Sequence, residues 1–172
     1  MKLTTLLAPL TLIGAALADS AAIVDAVKKA NEDTAKLGQV VSKWKGDILG
    51  TLPIVAESTA LLVTVKKGKK VASESDEMDF YGTLDVAYAV TDLTAVVNTT
   101  LTALINAKPK FDKLLMSPLI FGTLELQKKA TDEMSEAIVS KVPVQLQDLA
   151  RDIAAPIDAS FELALDEFHP FH

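Results

Sequence analysis

The chain has 172 residues, enough for one domain with a sizeable core. Its formal net charge of −6 argues against nucleic acid as a partner and against electrostatic docking on anionic membranes. With no cysteine, thiolate metal sites and thiol catalysis are excluded, and packing rather than disulfides must hold the fold.

Residues 1–18 have the organisation of a secretory signal: Lys2 as the charged start, Leu3–Ala15 as the apolar run, and Ala16-Leu17-Ala18 as a small-residue cleavage site before Asp19. The apolar run falls short of the ~20 residues that a membrane span needs, and Pro9 and Gly14 interrupt it. The expected division is a cleaved leader over 1–18 and a single domain over 19–172, secreted and without a transmembrane span.

Asp19-Ser20 can cap a first helix running to about Lys45, with Ile23, Val27, Ala30, Leu37, Val41 and Trp44 on its inward face. The acidic and basic residues of this segment, Asp33 among them, are expected mostly on the other side. A second helix follows Thr51, with Pro53 in its first turn, where a missing N–H costs little. Residues 68–79 are expected to form a loop, with Lys66, Lys67, Lys69 and Lys70 at the preceding helix end and acids leading into the next helix.

The third helix runs from about Met78 to Ala107 or on to Leu114, and Pro109 is expected to end or kink it. Val86, Val90, Leu93, Val97, Leu101 and Leu104 recur at helical spacing along it. A fourth helix is expected from near Pro118 to about Lys141, with Leu119, Thr123, Leu126, Ala130, Met134 and Ala137 on one side. A fifth opens at Pro143 and reaches about Phe168, its stripe being Ile153, Ile157, Phe161, Ala164 and Phe168. Pro156 lies inside it, so the helix either kinks there or divides in two. Short connections predict successive helices that are mostly antiparallel neighbours. The fold class is therefore all-α, a single antiparallel bundle of about five amphipathic helices after the leader.

Chemistry-bearing motifs are absent. The histidines are His169 and His172, at the end of the chain, and no serine sits in a nucleophile-elbow context. Neither an enzyme, nor a metal site, nor a cofactor is expected. Asn98-Thr99-Thr100 is an N-glycosylation sequon on the flank of the third helix. The apolar stripes either only pack, or enclose space for an alkyl chain where alanines leave room between helices. Periodicity alone leaves both open.

The chain resembles the fungal family of hydrophobic surface-binding proteins and antigenic cell-wall galactomannoproteins. The resemblance is carried by KPKFDKL at Lys108–Leu114, by Pro118 followed by Leu124 and Leu126, by AIVSKVP at Ala137–Pro143, and by IDASFELALDEF at Ile157–Phe168. Pro156 departs from the family's uninterrupted last helix. The resemblance implies a helical bundle, secreted or held in the cell wall. It would bind hydrophobic surfaces or long-chain fatty acids without catalysis, and some members help recruit a secreted polyester hydrolase. On that reading the candidate lipid-lining residues are Trp44, Leu62, Tyr88, Leu93, Leu101, Phe111, Phe121, Leu126 and Phe161. The alternative is a structural cell-wall mannoprotein with a closed core, glycosylated at Asn98 and acting through its surface.

Overall fold

The computed structural model describes residues 10–169, with side chains described from Asp19 onward. The first nine residues of the expected leader, and His172, lie outside the described residues. Five α-helices make up the described chain: α1 (Leu10–Lys43), α2 (Thr51–Glu74), α3 (Phe80–Lys113), α4 (Ser117–Val139) and α5 (Gln147–Phe168), with a 3₁₀ turn at Val144–Leu146 before α5. The all-α expectation holds. Successive helices reverse direction, so α1, α3 and α5 run one way and α2 and α4 the other.

Neighbour relations differ from chain order. α1 packs on α2 and on α3; α2 packs on α4; α4 and α3 each pack on α5. The consecutive pair α3 and α4 barely touch, and α2 and α3 do not pack as neighbours. The helices thus close into a ring, in the order α1, α2, α4, α5, α3. This arrangement has a geometric consequence. Neighbouring helix axes lie about 8–10 Å apart, so a regular pentagon puts each axis roughly 7–8.5 Å from the centre, while a helix with its side chains has a radius of only about 5–6 Å. Five helices in a ring leave the middle incompletely filled.

The stripe expected for the first helix is buried throughout, from Ile23 and Val27 at 0% exposure to Trp44 at 5%, which lies just past the end of α1 at Lys43. Asp33, expected outside, is also buried, because two lysines of its own helix and a threonine of α2 satisfy it: Lys29 and Lys36 Nζ lie 2.8 and 2.9 Å from Oδ1, and Thr64 Oγ1 donates to Oδ2 at 2.7 Å. Burial by itself raises the Asp33 carboxyl pKa. The three hydrogen bonds outweigh it and hold the group at about 2.

The loop expected over 68–79 is shorter. α2 continues to Glu74, and only residues 75–79 connect it to α3. Gly68 is not a helix terminator; it is buried inside α2. The charges around it are helix-face pairs, Lys70 with Glu74 and Lys69 with Glu133 of α4 at 2.9 Å. Asp79 caps α3, accepting from the Gly82 N–H at 2.7 Å.

Pro109 and Pro156 each lie within a continuous helix. Both prolines are exposed, so each ring sits on the outer side of its helix and away from the packed face. The α3–α4 corner instead turns on Leu115, which takes a left-handed backbone (φ 56°) while the Met116 N–H closes on the Phe111 carbonyl at 2.9 Å. On α4 the buried face is Ile120, Leu124, Gln127, Ala130, Met134 and Ile138, about one residue round from the expected stripe in its first half; Leu119 and Leu126 are more than half exposed. A buried glutamine broke the apolar pattern and shifted the apparent face.

One end of the ring is sealed. Trp44 lies 4.4 Å from Phe111 between ring centroids, Phe111 meets Phe168 edge-on at 6.0 Å, and the Trp44 Nε1–H donates to the Asp47 carbonyl at 2.8 Å. Lys110 reaches across from α3 to donate to the Trp44 carbonyl at 2.7 Å. His169 is held too, packed edge-on against Phe121.

Candidate lipid-binding interior

Two cavities occupy the space inside the ring. The first, about 130 Å³, is lined by all five helices: Thr34 and Leu37 of α1; Ile54, Leu61 and Val65 of α2; Leu93, Val97, Leu101 and Leu104 of α3; Ile120 and Leu124 of α4; Phe161 of α5. The second, about 240 Å³, lies toward the end where α3 and α5 begin, between Val27, Val86, Val90, Met134, Ile138, Ile153 and Ile157. Leu93, Thr131 and Met134 line both, so the two abut there. An apolar cavity of about 150 Å³ is known to stay dry and accept an aromatic hydrocarbon, which sets the scale.

Each cavity reaches the surface. Val55, Thr59 and Leu119, all exposed, line the first where α2 meets α4. Phe80, Leu84 and Leu149 line the second between the starts of α3 and α5, at 60%, 40% and 58% exposure. Tyr81 of α3 and Val144 of the 3₁₀ turn before α5 are exposed close by in sequence.

The polar content of the first cavity is small and specific. Gln127 of α4 donates through Nε2 to the Ser58 carbonyl at 2.8 Å and to Ser58 Oγ at 3.2 Å, and both residues are buried. Ser58 Oγ accepts in that contact and keeps its own proton to donate. Thr100 is engaged elsewhere, donating to the Thr34 carbonyl at 3.0 Å. Outside the interior, Lys128 ties α4 to α5 by contacting Asp158 and Glu162 as well as Asp132, its nearest approach being to Asp158. That hydrogen bond to Asp158, with those to the other two carboxylates, raises the ammonium pKa against the opposing effect of burial.

Of the residues singled out from sequence, Leu93, Leu101 and Phe161 line the interior. Trp44 and Phe111 are buried but belong to the aromatic seal. Leu62 and Phe121 are partly buried against the core and line neither cavity. Tyr88 and Leu126 are corrected outright: at 65% and 57% exposure they face outward, on the sides of α3 and α4 away from the ring axis. The sequence reading also missed Ser58 and Gln127, whose signal was a polar residue at a core register of each helix. Alanines open part of the space: Ala87, Ala150 and Ala154 line the second cavity, whereas Ala30, Ala107 and Ala164 are at most 4% exposed, line neither cavity and belong to the close-packed core. Asn98 is exposed on α3. Among the described residues, no cluster of three His, Cys, Asp or Glu is placed to hold a metal ion. α3 is long and apolar enough to cross a membrane, and here it packs between α1 and α5.

The fold has close counterparts among solved structures. It superposes on Afmp4p in complex with palmitic acid with a TM-score of 0.83, at 23% identity, covering 87% of this chain and 99% of that one. It matches ligand-binding domain 1 of the Penicillium marneffei MP1 protein, complexed with arachidonic acids, with a TM-score of 0.82, at 15% identity, covering 87% and 98%. Among curated proteins, cell wall mannoprotein 1 of Aspergillus fumigatus is 26% identical over 98% of this chain, and its Aspergillus flavus counterpart 25% identical over 84%. The chain spans 60% and 52% of the length of those two relatives. Residues 20–140 match the family described as HsbA, hydrophobic surface binding protein A, and the chain belongs to that family.

Proposed function

We propose that this protein is a secreted, non-enzymatic binder that takes a long-chain fatty acid into the interior of its helical ring and adsorbs to hydrophobic surfaces through the apolar rim of that interior. The observation that carries the reading is the two-part apolar cavity with the buried Gln127–Ser58 contact on its wall. Burial contributes about 0.8 kcal/mol per methylene, so a dozen methylenes contribute roughly 10 kcal/mol before the costs of association. The carboxyl end would find a donor in the Ser58 hydroxyl, which Gln127 holds in place, and the tail would lie among Leu, Val and Ile side chains. The fatty-acid complexes of Afmp4p and of the MP1 domain support the ligand class. The exposed Phe80, Leu84 and Leu149 give the mouth an apolar rim suited to an oily film.

Titrating lipid-stripped protein with palmitic acid tests the reading. Saturable binding is expected, with stability raised by about 2.7 kcal/mol when free ligand is 100-fold above Kd. A flat titration with no change in melting temperature would sink it.

The same reading takes 1–18 as a leader removed before Asp19, which N-terminal sequencing of secreted protein would check. It places the product outside the cell or in the wall, as the mannoprotein relatives suggest. Asn98 is accessible for glycan, testable by a mass shift on deglycosylation. On a film the bound protein would present its acidic outer face to a secreted polyester hydrolase; co-sedimentation of such an enzyme with coated particles is the check. The exposed sequon also suits the second reading, a wall mannoprotein acting through its surface, but the cavities weigh against the closed core that this reading requires.

A further inference from the structure

Gly68 lies deep inside α2, where a helix gains nothing from glycine's conformational freedom and alanine would be the better helix former. The reason for glycine is a neighbour. A Cβ at this position would stand 2.6 Å from Met134 Cε and 2.8 Å from its Sδ, with the next atom, Ala26 Cβ, at 3.6 Å. The missing side chain is the seat in which the tip of Met134 rests.

Met134 occupies a particular place. Among the described residues, only Leu93, Thr131 and Met134 line both cavities. Of the three, methionine is unbranched and has the most rotatable bonds, so it can change shape at least cost. Its thioether is confined by α2 on one side and faces cavity space on the other. We infer that Met134, seated on Gly68, is the movable partition between the two cavities and sets how long an acyl chain the interior accepts. A short chain is housed on one side of the partition. A long chain has to pass between Leu93 and Met134 and occupy both. The ligand in this inference is that of the proposed function; the partition itself rests on the geometry of Gly68 and Met134.

Two substitutions move the partition in opposite senses. Met134→Ala removes it and joins the cavities. Gly68→Ala fills the seat, and since the atom in the way is the far end of a flexible side chain, the thioether moves into cavity space rather than the helices parting. Dissociation constants for decanoic and docosanoic acid, measured on lipid-stripped wild type, both single variants and the double variant, give the readout. The preference for docosanoic over decanoic acid should rise about tenfold in Met134→Ala and fall about tenfold in Gly68→Ala, each a change of about 1.4 kcal/mol in relative affinity. The double variant should follow Met134→Ala, because Gly68 acts only through the methionine. If wild type binds both acids and the ratio stays put in both single variants, the partition is refuted while the fatty-acid reading stands. A crystal structure of Gly68→Ala decides independently of any ligand. The Met134 sulfur should be displaced toward Leu93, and a sulfur left in place, with α2 pushed outward instead, overturns the inference.

Discussion

Along the α1–α3 seam, Gly38 lies so near Thr100 that a Cβ there would meet the hydroxyl at 2.5 Å, and Thr100 in turn donates to the Thr34 carbonyl of α1. Across the ring, Leu101, Ile120, Leu124 and Phe161 face a void instead of one another. Both regions are buried and built from ordinary aliphatic and small polar residues. They differ in arrangement: two helices can close on a seam of small side chains, whereas five around an axis cannot fill the middle with side chains of ordinary length. The sealed end, where Trp44, Phe111 and Phe168 interlock, belongs with the seam. It holds the ring together so that the hollow side can stay hollow.

The largest effect that tests this contrast comes from the seal. Phe111 is 0% exposed and touches both other aromatics, so Phe111→Ala should cost about 3–5 kcal/mol in chemical denaturation. Leu124→Ala, on the cavity wall, should cost only about 2 kcal/mol, since its side chain already lacks partners on one side. Equal losses would mean that the two regions are packed alike and that the void is not real.

Next comes the seam itself. Gly38→Ala gains helix propensity but drives a methyl into a hydroxyl that is buried and hydrogen-bonded, with the Thr100 backbone close behind. A net loss of about 1–2 kcal/mol is expected by thermal unfolding. Gly68→Ala, against a flexible methionine, should instead be close to neutral, which makes the pair a direct comparison of stiff and yielding contacts.

Asp33 gives an effect of similar or smaller size through pH. Its folded pKa, about 2, is below the ordinary 3.8, so its stabilisation is complete above pH 4 and is lost as the pH falls through 2. The shift corresponds to about 1–2 kcal/mol after allowance for screening of the lysines, whose side chains are half exposed. Asp33→Asn should flatten the acid limb of the stability curve between pH 4 and 2. An unchanged limb would show that other carboxylates govern it.

Helix number, type and approximate length were legible in the sequence because apolar residues at 3.6-residue spacing report burial directly, as the stripe from Ile23 to Trp44 shows. Three things were not. Gly68 and the prolines look like terminators in a sequence, but Gly68 answers to Met134 and the prolines sit on the solvent side. Gln127 hid the true face of α4 because its partner, Ser58, is 69 residues away. Which helices are neighbours, and hence that the middle is hollow, depends on connections that skip a position in the ring, and no local pattern encodes that. For the same reason Tyr88 and Leu126 looked like lining residues: an apolar residue one step round a helix from the buried face is indistinguishable by type from one on it.

The smallest expected change in stability is also the most discriminating. Leu101→Phe adds three carbon atoms at a residue that is 5% exposed and lines the first cavity. In a filled core such overpacking costs about 1–3 kcal/mol. Here the added ring has space to enter and gains contacts that leucine lacks, so the melting temperature should move by no more than a degree or two in either direction, equivalent to under about 0.5 kcal/mol. Affinity for palmitic acid should nevertheless fall at least about tenfold, because the ring takes the volume that the chain would occupy. A single methyl on the seam at Gly38 would then destabilise more than three carbons added in the ring. Should Leu101→Phe prove costly and Gly38→Ala harmless, the assignment of tight and hollow regions would have to be exchanged.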